Sequence, residues 1–208
     1  AQSQQRLGNK KAEGIILSGG PRSVYENNAQ TIDKSIFALG VPILGICYGH
    51  HLIAHTLGGK VVPKSKEYGK ETFTTIKKSR LLRGFAGKEQ VWMSHGDSVV
   101  SLPQGFAVSG RTEECKIAAY ADEKRRIYGV QFHPEVQHTV HGMRILEEFL
   151  KLCGCKRDYT IKGLDKKLVS EIRAKVGNGA VIMGVSGGVD SLVASALIKM
   201  ATPNIYCV

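Results

Sequence analysis

Between Gly40 and Gly59 the chain reads GVPILGICYGHHLIAHTLGG. An apolar run entered through proline stops at Cys47, glycines stand two residues to either side of the thiol, and a helix-like pattern follows at once. Few backbone paths accommodate this. A near-continuous apolar run bounded by glycine or proline fits a strand buried on both faces, as in a parallel sheet. GIILS, residues 14–18, is a second such run. TFTTIK, VWMSH, FAVSGR, IAAYA and RIYGVQF are further strand candidates, and GMRILEEFLKLC reads as an amphipathic helix. The order predicts an α/β fold with a mostly parallel open sheet flanked by helices.

A boundary is expected near GCKRDYTIKG, residues 154–163, which is polar and irregular. Residues 1–155 then form a first domain and 156–208 a second. The second runs through a helix, LDKKLVSEIRAKV, the turn GNG, a strand, AVIMGVS, a glycine-rich turn, the helix LVASALIKM and a strand, NIYCV. A β-α-β start with no further strand closes no domain, so the sequence is expected to be truncated at its C-terminal end.

Composition narrows the function classes only slightly. The net charge is +11 and 42% of the 208 residues are apolar, an ordinary fraction for a globular protein. The basic residues are scattered, without a long block or an interleaved aromatic platform, so a dispersed solvated surface is favoured over nucleic-acid binding. No run suits a bilayer span, and AQSQQRLGNKKAEG at the start has no signal-peptide core, which points to the cytoplasm and to no membrane partner. Five cysteines with uneven spacing argue against a disulfide framework. The CGC at 153–155 is too tight for a CxxC metal knuckle, so Cys153 and Cys155 are taken as structural.

The G-x-C-x-G pattern around Cys47 is that of a nucleophile elbow, a strained strand-to-helix turn whose neighbours must be small. The helix N-terminus beneath the sulfur favours its anionic form. A buried, inert thiol is the commoner fate of a lone cysteine, and the paired glycines are what favour catalysis. Such a nucleophile wants a base and an orienting group. QFHPE offers His133 and Glu135, two apart and so on one side of a strand, with Pro134 suited to a strand end. SGGP follows a strand candidate, so Gly19 and Gly20, with the N–H of Tyr48, are candidate oxyanion donors. A simple turn is the plainer reading of SGGP taken alone. His50, His51, His55, His138 and His141 are read as packed or surface histidines, because HxxxH without a further ligand is weak evidence, and no metal is expected at this site.

ILSGGPRSVY, GVPILGICYG, VWMSHGDSV and YGVQFHPEV resemble, in order, the motifs of a triad (class I) glutamine amidotransferase. SGGVDS, Ser186 to Ser191, is similar to the pyrophosphate loop of N-type ATP pyrophosphatases and is not a Walker A motif. The resemblance implies that Cys47 attacks the side-chain amide of glutamine, His133 moves the proton and Glu135 orients His133. It implies that His51 contacts the substrate and that a loop of Ser94, His95, Gly96 and Asp97 helps hold the glutamine backbone. It also implies that Ser186, Gly187, Gly188, Val189, Asp190 and Ser191 bind the pyrophosphate of ATP with Mg2+ in a Rossmann-like domain. There xanthosine monophosphate (XMP) would be adenylated and aminated to GMP, in a protein that is a homodimer when complete.

Three features depart from the family pattern. His51 stands where glutamine is usual. The strand, helix and strand expected before GIILSGGP are replaced by a short polar stretch, which would expose a sheet edge. The second domain stops early, so this chain is not expected to make GMP by itself. Two other readings stay open: a glutaminase serving another synthase, and an impaired domain that binds glutamine or a partner without turnover.

Overall fold

The computed structural model describes residues 12–85, 87–156 and 160–208. The chain divides into a compact unit ending at Cys155 and a second running from Lys156 to Val208.

The first unit is built on a seven-stranded sheet: β1 (Ile15–Leu17), β2 (Ile43–Ile46), β3 (Lys60–Thr75), β4 (Lys88–Ser101), β5 (Ala107–Arg111), β6 (Ala119–Asp122) and β7 (Ile127–Val130). Its order is β1-β2-β7-β6-β5-β3-β4. Among the described residues of this sheet only β1/β2 and β2/β7 pair in parallel, whereas β3/β4, β3/β5, β5/β6 and β6/β7 are antiparallel. The sheet is therefore mixed, not mostly parallel. The reason is connection length. From β3 to β7 consecutive strands are joined by turns without an intervening helix, and a parallel pair needs a crossover.

Helices α1 (Tyr48–Thr56) and α2 (Gly142–Cys153) cover the sheet. Successive strand residues feed different cores. Ile43, Tyr120 and Ile127 pack with Leu52 and Ile53 of α1, while Leu44, Ala121 and Tyr128 pack with Ile145 and Phe149 of α2. Period-two alternation thus buries both faces of the central strands. β2 is buried throughout, as its sequence predicts. β1 is only partly covered, with Ile16 49% exposed, because it has a partner on one side only among the described residues.

β2 and β7 are in register, Ile46 opposite Val130, so their carboxyl ends stop level. That alignment delivers the segments after both strands to one place. The sheet also curls, bringing β4, last in its order, back over these ends: the His133 N–H donates to Trp92 O at 3.0 Å and the Val140 N–H to Gln90 O at 3.3 Å.

The second unit has parallel strands β8 (Val181–Met183) and β9 (Ile205–Cys207) with helices α3 (Leu164–Val176) and α4 (Val189–Ala201). Arg173 on α3 donates to Ala201 O and Met200 O, capping the carbonyl end of α4. No helix of the described residues is long and apolar enough to cross a membrane.

Candidate active site

The backbone at Cys47 has φ 52° and ψ −104°, a left-handed φ that a side chain disfavours. The surroundings over-determine it. The Cys47 N–H donates to Val130 O at 2.9 Å, and the Gly49 N–H reaches across to Ser18 O at 3.1 Å. A methyl group on Gly45 would lie 2.5 Å from the Gly49 backbone, and one on Gly49 only 2.0 Å from Leu17 O. The two glycines are therefore required by contact as well as by turn geometry. Tyr48 is the first residue of α1, so its N–H has no acceptor within the helix.

Cys47 opens into a cleft of about 690 Å³. His133 lines it as well, and Gly19 lies between the two: a methyl group there would meet His133 Cε1 at 3.2 Å and Cys47 Cβ at 3.7 Å. Gly20 packs on the Tyr48 ring, whose hydroxyl donates to Gln30 O at 2.7 Å and ties down the loop that carries both glycines.

His133 and Glu135 meet at 2.7 Å, Nδ1 to Oε1. They do so in the turn after β7, not on a strand: the ladder stops at Val130, and Pro134 has no N–H to extend it. Thr139 Oγ1 donates to His133 O at 2.6 Å and fixes the turn. The hydrogen bond with Cys47 and then that with Glu135 raise the His133 imidazolium to about 10 against the opposing effect of burial. Burial pushes the Glu135 carboxyl up, but its hydrogen bond to His133 outweighs this and holds it below its usual value. A proton-bearing ring thus faces the sulfur, with a carboxylate behind it.

Ser94 to Ser98 lie inside the long strand β4, not in a loop, because β3 pairs with them on both sides of Gly96. Cys47 Sγ donates to Ser94 O at 3.6 Å, and Gly96 and Asp97 face the cleft. His95 borders the cleft but spends both ring nitrogens elsewhere, Nδ1 on Asp97 O and Nε2 on Glu67. Asp97 Oδ1 accepts from the Tyr25 hydroxyl at 2.7 Å. Tyr25, Lys66 and Tyr68 also line the cleft and were not singled out from the sequence. Tyr25 is the last residue of ILSGGPRSVY, the signal that could have marked it; Lys66 and Tyr68 carry no such signal.

His51 is buried at the cleft, its Nε2 donating to Gln131 Oε1 at 2.6 Å. Burial, partly offset by that hydrogen bond, lowers it to about 4. His50 is fully buried against the Tyr120 ring, 4.4 Å between centroids, and burial pushes it well below its usual value. The backbones of Gly129 and Ile117 are near, yet neither His50 nitrogen makes a full hydrogen bond. Both rings are neutral in the native state, which has a consequence in acid. Below about pH 6.5 the unfolded chain takes up protons that the folded one refuses, so stability falls with falling pH, by about 3 kcal/mol at pH 4 for His51 alone. The urea midpoint is expected to drop between pH 7 and pH 5, and to drop less in His51→Gln; equal drops in the two proteins would rule this origin out.

Ser186 to Ser191 belong to the second unit. They form an exposed turn, Gly187 at φ +80°, leading into α4, so Val189, Asp190 and Ser191 are its first turn. Ser191 Oγ donates to Gly188 O at 2.9 Å. Cys153 and Cys155 are free and partly buried, and burial raises Cys153 to about 11.

The Glutamine amidotransferase class-I family profile matches residues 1–153. The chain is 47% identical over 207 residues to a glutamine-hydrolysing GMP synthase of Caldicellulosiruptor saccharolyticus, covering 98% of this chain and 40% of that one. It is 50% identical over 192 residues to the GMP synthase of Geobacillus kaustophilus, covering 91% and 38%. It thus spans about two-fifths of the length of these curated relatives. Among solved structures, a Thermoplasma acidophilum protein described as a GMP synthase component superposes with TM-score 0.63 at 31% identity, over 72% of this chain and 76% of that one. A glutamine amidotransferase of Thermotoga maritima shares the fold, with TM-score 0.53 at 21% identity, over 91% of this chain and 76% of that one.

Proposed function

Since the chain belongs to the class I glutamine amidotransferase family, we propose that its first unit hydrolyses glutamine to glutamate and ammonia through Cys47, His133 and Glu135. The observation that carries this reading is the strained Cys47 backbone beside a His133–Glu135 pair that holds a proton towards the sulfur. In this mechanism the proton that His133 holds is the one given up by the Cys47 thiol, and the sulfur attacks the side-chain carbonyl carbon of glutamine as the thiolate. The negative charge passes to the carbonyl oxygen, towards the free N–H of Tyr48 and the backbone at Gly19 and Gly20. His133 gives its proton to the departing amine, ammonia leaves and a glutamyl thioester remains. Water then attacks the thioester, losing a proton to His133, and glutamate is released with the Cys47 thiolate and the protonated His133 restored. Glu135 keeps the imidazole oriented throughout.

The second unit is read as the start of an ATP pyrophosphatase domain. Ser186, Gly187, Gly188, Val189, Asp190 and Ser191 fit a pyrophosphate: an open glycine turn, the exposed Ser186 hydroxyl, the half-buried Ser191 and the N-terminus of a 13-residue helix. Asp190 offers a carboxylate to Mg2+. Bound Mg-ATP would supply the activating adenylyl group, and in the longer protein ammonia would convert XMP to GMP, in a cytoplasmic homodimer.

The test is to incubate this chain with glutamine and measure glutamate and ammonia. Equimolar release of both is expected. A folded chain that binds glutamine and releases neither would favour the second reading, an impaired binding domain, which is motivated by His51 spending its Nε2 on Gln131.

A further inference from the structure

Behind the β4 wall of the cleft lies a buried polar chain that the mechanism above does not use. Glu67 on β3 and His95 on β4 are cross-strand partners. His95 Nδ1 lies 2.7 Å from Asp97 O, and because a carbonyl only accepts, Nδ1 carries a hydrogen. Nε2 lies 2.9 Å from Glu67 Oε2, so a further proton is shared between ring and carboxylate. Glu67 Oε1 accepts from Thr112 Oγ1 at 2.7 Å, and Thr112 Oγ1 accepts from the Cys115 N–H at 2.9 Å. The side chains of His95 and Glu67 are 1% and 3% exposed, so water hardly competes for these bonds.

The chain stands where the strand register changes. Pairing passes from Pro63 opposite Asp97 to Glu67 opposite His95, so residues 64–66 of β3 bulge against Gly96 alone. A bulge re-aims its neighbours, and a one-residue slip would turn each side chain to the other face. What is aimed here is the wall of the cleft, with Ser94 O at the sulfur and Gly96 and Asp97 beside it.

We propose that Glu67, His95 and Thr112 form a positioning network that pins this bulge and so sets Ser94 O and Gly96 against Cys47. The proposal rests on the glutaminase reading for its kinetic readout. Glu67, His95 and Cys115 are also a grouping of three metal-capable side chains, all buried. Positioning is the better account, because ring and carboxylate are already hydrogen-bonded to each other and burial raises the Cys115 thiol to about 12.

The test compares substitutions that break the hydrogen bonds with ones that keep them. Glu67→Ala and Thr112→Val break them. Glu67→Gln can donate to a neutral His95 Nε2 while accepting from Thr112, and Thr112→Ser keeps its hydroxyl. The breaking pair is expected to lose about tenfold or more in kcat with KM for glutamine within about threefold, and the conserving pair to stay within about threefold of the parent. If Glu67→Ala does not fold, Thr112→Val decides alone. A folded Thr112→Val with kcat within about threefold of the parent overturns the proposal, as does a Glu67→Gln as slow as Glu67→Ala. Alkylation of Cys47 by iodoacetamide probes the same wall without glutamine, and its rate is expected to change about fivefold in Thr112→Val but not in Thr112→Ser. A parent that is alkylated yet releases no glutamate overturns the glutaminase reading and leaves the alkylation contrast to judge the network.

Discussion

Cys47→Ala is expected to bring glutamine hydrolysis down to background, a loss on the order of 10⁵-fold for removal of a nucleophile. The sulfur is the atom on which the arrangement converges: His133 lines the same cleft, Ser94 O accepts from it and Gly19 leaves room beside it. An alanine at this position keeps the Cβ and meets the same φ restriction as cysteine, so the elbow is expected to persist. Circular dichroism and the thermal midpoint should therefore match the parent while glutamate release disappears. Release within tenfold of the parent from the folded variant would place the nucleophile elsewhere and sink the triad. Glutamine added to the folded variant should still raise its thermal midpoint, because binding is carried by the cleft walls and not by the sulfur.

Gly49→Ala is expected to have the largest effect on stability. The added methyl would lie 2.0 Å from Leu17 O and 2.7 Å from Leu17 C. Both are backbone atoms of β1, so no side chain can swing aside. The Gly49 N–H bond to Ser18 O holds the same two segments together. Overpacking costs typically 1–3 kcal/mol, and a backbone clash belongs at or above the upper end, roughly 3 kcal/mol or more. For a chain of this size that corresponds to a fall in midpoint of about 6–12 °C. Gly184→Ala is the control, since a methyl there meets nothing within 4 Å. A Gly49→Ala protein that melts within about 2 °C of the parent would show that β1 and α1 can part without loss.

Local sequence carried much of this. A thiol flanked by glycines after an apolar run specifies a sharp strand-to-helix turn because any larger neighbour would collide, and the contacts at Gly45 and Gly49 are of that kind. The strand β2 and the helix α2 were legible for similar reasons: burial on two faces leaves a continuous apolar run, and one buried face, at Gly142, Ile145 and Phe149, leaves a helical stripe. The apolar runs of β1 and β2 pair in parallel, as they were read, whereas the antiparallel pairing from β3 to β7 was not read from the sequence, because it depends on which strands the turns between them bring together. The SHGDS stretch looked like a loop because its polar residues suit a turn. It is a strand because its polar groups are answered from neighbouring segments: His95 by Glu67, Asp97 by Tyr25 and Ser98 by Lys64 O.

By itself, then, the sequence determined the residue types and the local backbone of the site: the elbow at Cys47, the glycines at 19 and 20, and the His133–Glu135 pair separated by a proline. Only the tertiary structure decided what these residues face. The level ends of β2 and β7 set Cys47 near His133, and the curl of the sheet brings Ser94 onto the sulfur. The buried Glu67–His95 pair belongs to the same class of decision, since it joins residues 28 positions apart. Local preference acts over one turn or one strand, whereas such contacts depend on strand order and register, which only the packed chain defines.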